Sequence, residues 1–116
     1  MDIILYHNPR CSKSRQTLAL IEDRGIKPTI VEYLKTPPNH QQLDSILRGL
    51  ELEPRGLMRT KEAEYKELGL ADSALSRDHL IEAMIANPKL IERPILVVGD
   101  QIVVGRPPEN ALTILP

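Results

Sequence analysis

The one cysteine of the chain stands in the run His7-Asn8-Pro9-Arg10-Cys11-Ser12-Lys13-Ser14-Arg15. An apolar stretch, Ile3-Ile4-Leu5-Tyr6, precedes this run, and a segment carrying Leu18, Leu20 and Ile21 follows it. The first reads as a strand and the second as an amphipathic helix, so Cys11 falls at a strand-to-helix junction. A thiol there meets the positive end of the helix. Unpaired backbone N–H groups, the helix dipole and the nearby Arg10, Lys13 and Arg15 all favour thiolate over thiol. Such surroundings commonly bring a cysteine from about 8.5 to roughly 3.5–7.5. Ser14, three residues on, offers a hydroxyl hydrogen bond to the sulfur. A cysteine serving only as a small core hydrophobe would have apolar neighbours, and this one has polar residues and a proline. The chemistry implied is nucleophilic attack by Cys11.

The same helix start is a ready anion site, because its free N–H groups point at whatever sits over the first turn. Thiolate and anion repel each other, so attack on an oxyanion requires fixed cations. Arginine suits this best, with a planar fork that is always charged. Arg93 precedes Pro94 at the mouth of one expected strand, and Arg106 lies between Gly105 and Pro107-Pro108 at the end of the next. Both are candidate anion ligands. Arg59, in Leu57-Met58-Arg59-Thr60-Lys61, has no local context that separates a ligand from a salt-bridge partner. His7 either closes the first strand through a backbone bond or takes part in acid–base work.

These residues need a scaffold, and the remaining pattern supplies one. Thr29 to Tyr33 is a second strand, closed by Thr36-Pro37-Pro38, so the start of the chain reads β-α-β with parallel strands and Gly25 ending the helix. Asn39 is an N-cap for a helix with Leu43, Ile46, Leu47 and Leu50 on one face. Shorter helical pieces follow at Pro54–Met58, Glu62–Leu68 and Asp78–Ala86, the last with Leu80, Ile81, Met84 and Ile85 inward. Ile95–Val98 and Ile102–Val104 flank Gly99-Asp100 as an antiparallel hairpin, and Pro107-Pro108-Glu109 opens a last short helix carrying Ala111, Leu112 and Leu115. The order is βαβ, helical insertion over about 39–90, then ββα. This is an α/β, thioredoxin-like plan with a four-stranded mixed sheet, and residues 1–116 are expected to form a single domain.

Composition narrows the chemistry further. Fifteen basic and sixteen acidic residues leave a net charge of -1, so no overall field recruits nucleic acid or a membrane surface. Three tyrosines with no Phe or Trp provide no stacking platform for single-stranded nucleic acid. His7, His40 and His79 are scattered around a lone cysteine, and no metal site is expected. No apolar run approaches the roughly 20 residues of a membrane span, and the first residues lack the pattern of a signal peptide, so a cytoplasmic protein is expected. One cysteine makes no intrachain disulfide.

The chain resembles the glutaredoxin-dependent arsenate reductase (ArsC) family over essentially its whole length. The matching motifs are Tyr6-His7-Asn8-Pro9-x-Cys11 with Ser14-Arg15, then Met58-Arg59, Glu67-Leu68-Gly69-Leu70, Arg93-Pro94-Ile95 and Arg106-Pro107. The loop reads Cys-Ser-Lys-Ser where family members tend to have Cys-Gly-Thr-Ser. The resemblance implies that Cys11 is the nucleophile, that Ser14 and His7 assist its thiolate, and that Arg59, Arg93 and Arg106 hold arsenate and its covalent adduct. It also implies a cis peptide bond before Pro94. The implied partners are arsenate or a similar oxyanion, glutathione as co-substrate, and glutaredoxin, with no bound cofactor. Two alternatives remain: a redox regulator similar to the Spx proteins, and a thiol enzyme with another substrate. The regulators commonly carry Cys-x-x-Cys, whereas Ser14 occupies the second position here.

Overall fold

The computed structural model describes residues 2–116, which divide into two compact units. One consists of the described residues up to Thr36 together with Arg93–Pro116, and the other is Pro37–Glu92.

The first unit is built on a four-stranded sheet with order β2-β1-β3-β4. β1 (Ile3–His7) pairs in parallel with β2 (Thr29–Glu32), and β3 (Ile95–Val98) runs antiparallel to both β1 and β4 (Gln101–Val104). The central strands β1 and β3 are the most buried, which explains their continuous apolar runs, while β2 is an exposed edge. The crossover from β1 to β2 is helix α1 (Ser12–Asp23), ended by Arg24 and by Gly25 at φ +75°. Leu5, Ile21, Leu96, Val98 and Ala111 form the centre of this unit's core, ringed by Ile3, Leu18, Ile26, Val103, Ile114 and Leu115.

The second unit is helical. Helix α2 (His40–Leu50) opens with a full capping box: Asn39 accepts from the Gln42 N–H, and the Gln42 side chain accepts from the Asn39 N–H. Its stripe Leu43, Ile46 and Leu47 is buried, and the helix packs on α4 (Arg77–Ala86), which Ser76 caps. A 3₁₀ turn (Pro54–Leu57) and α3 (Ala63–Glu67) lie between them. The segment with Arg59 is pinned against residues 90–92. Arg59 N–H donates to Leu90 O at 2.7 Å, Glu92 N–H donates to Leu57 O at 2.8 Å, and Met58 bridges Ile91.

The βαβ, helices, ββα order and the mixed sheet are those of a thioredoxin-like α/β fold. Two expectations are corrected. The last helix is a 3₁₀ helix, Pro108–Thr113, rather than an α-helix, with prolines at its N-cap and first position. Along α1 the inward face is Ser14, Thr17 and Ile21, while Leu18 and Leu20 are only half-buried.

Candidate active site

Cys11 is the N-cap residue of α1, in extended conformation, and is 9% exposed. The loop before it is locked by its own backbone: Cys11 N–H donates to Asn8 O, and Arg10 N–H to Asn8 Oδ1, both at 3.0 Å. Arg15 Nη1 donates to Pro9 O at 3.0 Å, so this cation braces the loop as well as adding charge. The sulfur therefore sits over the open end of the helix in a fixed geometry.

Three influences act on the thiol. Burial pushes its pKa up, but backbone N–H groups of Ser14 and Lys13 hydrogen-bond the sulfur, and the Arg93 guanidinium both hydrogen-bonds it and lies close as a charge. The stabilising contacts outweigh burial, and the thiol is held below its ordinary value. Arg106 adds a donor, its Nη2 lying 3.6 Å from Cys11 Sγ. Arg106 is itself oriented by donation from Nε to the Arg93 carbonyl at 2.7 Å. Cys11, Arg93 and Arg106 are thus brought together, and both guanidiniums stand where an oxyanion attacked by the sulfur would carry its charge.

The expected hydrogen bond from the Ser14 hydroxyl to the sulfur is corrected: the hydroxyl has other partners. Ser14 is fully buried, and its Oγ accepts from Asn8 N–H at 3.0 Å and lies 2.6 Å from His7 Nδ1. The hydroxyl thus ties the strand end to the helix, and the backbone N–H of Ser14 is what reaches the sulfur. His7 is the last residue of β1 and is buried. Burial holds its pKa down, with Arg15 pushing the same way against Glu32, so the ring is neutral near pH 7.

Arg59 belongs to the helical unit, where it has two carboxylate partners: Nε lies 3.3 Å from Glu62 and Nη1 3.1 Å from Glu92. The sequence reading did not identify these two glutamates. Their only advance signal was proximity in the chain for Glu62, at helical spacing from Arg59. Also unforeseen was Gly105, where a Cβ would stand 2.6 Å from Thr17 Oγ1 and 2.8 Å from Pro94 Cγ. This close approach lets α1 lie against the strand end that carries both arginines. The Arg93-Pro94 bond is cis, as expected, and Arg106-Pro107 is cis as well. Among the described residues no cluster of three or more His, Cys, Asp or Glu could hold a metal ion, and no helix is long and apolar enough to cross a membrane.

The chain is similar to known proteins along nearly its whole length. The protein YfgD of Escherichia coli (strain K12) is 53% identical over 112 residues, which cover 96% of this chain and 94% of that one. An arsenate reductase of Neisseria meningitidis serogroup A is 47% identical over 115 residues, covering 98% of each chain. The solved structure of an arsenate reductase from Vibrio cholerae superposes with a TM-score of 0.95 at 53% identity, covering 99% of this chain and 98% of that one. The ArsC family model matches residues 6–114, a span that takes in His7, Cys11, Ser14, Arg59, Arg93 and Arg106. With its cysteine at the mouth of α1 and the guanidiniums of Arg93 and Arg106 on the sulfur, this chain belongs to the ArsC family.

Proposed function

We propose that this protein reduces arsenate to arsenite, with Cys11 as nucleophile and with glutathione and glutaredoxin as external reductants. The observation that carries the reading is the placement of Arg93 and Arg106 on a thiol already biased toward thiolate. Sulfur and anion would otherwise repel each other, and two forked cations allow their approach. The names of the relatives favour arsenate as that anion.

In this mechanism the Cys11 thiolate attacks arsenic, forming a sulfur–arsenic bond while one arsenate oxygen leaves as water after protonation. Glutathione then adds its sulfur to arsenic, with loss of a second oxygen as water. A glutaredoxin thiolate attacks the glutathione sulfur, and the electron pair of the sulfur–arsenic bond falls onto arsenic. This yields As(III) still held by Cys11 and a mixed disulfide on glutaredoxin. Hydrolysis releases arsenite and restores the thiolate. The two electrons come from outside because the chain has one thiol to offer and a disulfide needs two. Arg93 and Arg106 hold the oxyanion and its adduct, Arg59 is proposed as a third ligand from the family resemblance, and His7 and Ser14 fix the loop that presents the thiolate.

The test supplies purified protein with arsenate, glutathione, glutaredoxin, glutathione reductase and NADPH, and follows NADPH loss and arsenite formation. Turnover is expected, and Cys11→Ser abolishes it because a neutral hydroxyl is a far poorer nucleophile than a thiolate. Absence of arsenite with wild-type protein, or sustained production by a folded Cys11→Ser variant, rejects the proposal.

A further inference from the structure

A cleft of about 460 Å³ opens in the sheet unit, between the loop His7–Arg10 and the residues at and after the end of β2, Glu32, Leu34 and Lys35. Cys11, Arg93 and Arg106 do not line it, so it is distinct from the place where the two guanidiniums meet the sulfur. It nevertheless shares a wall with the nucleophile. Asn8, on the cleft, accepts the N–H of Cys11 through its carbonyl, and His7, also on the cleft, meets the Ser14 hydroxyl. A ligand seated there lies against the loop that presents the thiol.

The charges of the cleft are specific in kind. Arg10 and Lys35 bring two cations and Glu32 one carboxylate, while Leu34, 41% exposed, and Pro9 supply apolar surface. Glu32 and Lys35 are 3.7 Å apart, but their side chains are 45% and 79% exposed. Such a solvated pair contributes little, and a ligand separates it at small expense. Two cations and one anion at the rim complement a molecule with two carboxylates and one ammonium. The volume is within the usual range for small-ligand sites, about 300–1,000 Å³. Inorganic oxyanions are too small to use the apolar wall or the carboxylate.

We propose that this cleft docks the thiol co-substrate, a small zwitterionic peptide thiol of the glutathione type, with Arg10 and Lys35 receiving its carboxylates and Glu32 its ammonium group. The proposal rests on the reading of Cys11 as a nucleophile served by glutathione. It anchors the two substrates on different residues, the oxyanion on arginines at the ends of β3 and β4 and the charged ends of the peptide on residues at the ends of β1 and β2, while the peptide's thiol reaches arsenic across the shared loop.

The experiment titrates ¹⁵N-labelled wild-type protein with S-methylglutathione, which keeps every charge but has no thiol to react. Shifts are expected to concentrate at His7–Arg10 and Glu32–Lys35. Arg10→Ala, Lys35→Ala and Glu32→Gln should each weaken binding about two- to fivefold, the scale of a solvated ion pair. In the coupled assay Lys35→Ala and Glu32→Gln should raise KM for glutathione by a similar factor and leave KM for arsenate unchanged. Shifts clustered elsewhere, or variants with unaltered KM for glutathione in an enzyme that reduces arsenate normally, overturn the cleft and leave the proposed activity standing. Binding of S-methylglutathione at the cleft in a protein that reduces no arsenate supports the site and sinks the activity instead.

Discussion

Ser14→Ala tests the claim that a buried hydroxyl ties β1 to α1, and its size can be worked out from the partners it loses. His7 Nδ1, 2.6 Å from Oγ, is buried and would be orphaned, at about 1–3 kcal/mol. The Asn8 N–H, 3.0 Å from Oγ, is only half-buried, so its loss costs about 0.5–1.5 kcal/mol. Alanine is the better helix former and returns about 0.5 kcal/mol. The net expectation is a destabilisation of about 1–4 kcal/mol, read as a lower urea midpoint with unchanged slope. Replacing His7 as well, in Ser14→Ala/His7→Leu, removes both polar partners and should give back part of the loss, a coupling of about 0.5 kcal/mol or more. Iodoacetamide rates against pH form the second arm. The Ser14 and Lys13 backbone N–H groups that hold the sulfur survive the substitution, so the alkylation midpoint should stay below the roughly 8.5 of a free cysteine. A variant within about 0.5 kcal/mol of wild type would falsify the strap. A midpoint at the free-cysteine value would show that the hydroxyl, rather than the backbone, stabilises the thiolate.

Arg106→Ala removes a charged donor 3.6 Å from the sulfur, and should raise the alkylation midpoint of Cys11 and weaken oxyanion binding by about tenfold or more in calorimetry. Arg106→Lys should recover only part of the binding, since it keeps the charge but loses the fork; full recovery would count against a geometric role. Gly105→Ala places a methyl 2.6 Å from Thr17 Oγ1 and 2.8 Å from Pro94 Cγ, and should destabilise by about 1–3 kcal/mol in thermal melts; an unchanged Tm refutes the close approach. His40 is raised in pKa by its hydrogen bond to Glu82, with Asp78 adding to the effect. A raised folded value means that this pairing stabilises fully below the ordinary histidine value, about 6.5, and is lost as pH rises through the folded value. The stability difference between wild type and His40→Gln should therefore shrink from pH 6 to pH 9, and a difference that grows over this range contradicts the pairing.

Much of the fold was legible because its signals are local. The Asn39 cap and the Leu43, Ile46 and Leu47 stripe lie within two helical turns of each other, and the structure buries that stripe. The face of α1 was misjudged for the opposite reason. Periodicity favoured its leucines, but Thr17 is completely buried because Gly105, nearly ninety residues away, allows a strand end to approach the helix closely, and Ser14 is completely buried against His7 at the end of β1. Hydropathy gives no sign that a polar residue will be buried when its partner is a distant backbone group. Thr17 satisfies its hydroxyl within its own helix, on Lys13 O at 2.9 Å, which is what makes its burial affordable. The glutamates on Arg59 escaped notice similarly, since Glu92 comes within 3.1 Å of it only through the pairing of residues 57–59 with 90–92.

The convergence of Arg93 and Arg106 was more legible than the sequence reading made it. A two-residue connection at Gly99-Asp100 fixes the register of the hairpin, with Val98 opposite Gln101 and each further pair one step outward on both strands. The last ladder pair is Ile95 with Val104. The next step sets Pro94 opposite Gly105, where Gly105 N–H donates to Pro94 O at 2.9 Å, and the one after sets Arg93 opposite Arg106, where Nε meets the Arg93 carbonyl at 2.7 Å. Motif inspection treated the two arginines as separate candidates, each stiffened by its own proline. Counting from the turn makes them a cross-strand pair. Like charges placed opposite each other repel, and such a pairing destabilises a hairpin unless something neutralises it. In this protein both guanidiniums bear on the Cys11 sulfur, so a thiolate there, and in the proposed reaction an oxyanion, would offset part of that repulsion. On the proposed reading, the repulsion between two facing arginines favours an anion at the mouth of this hairpin.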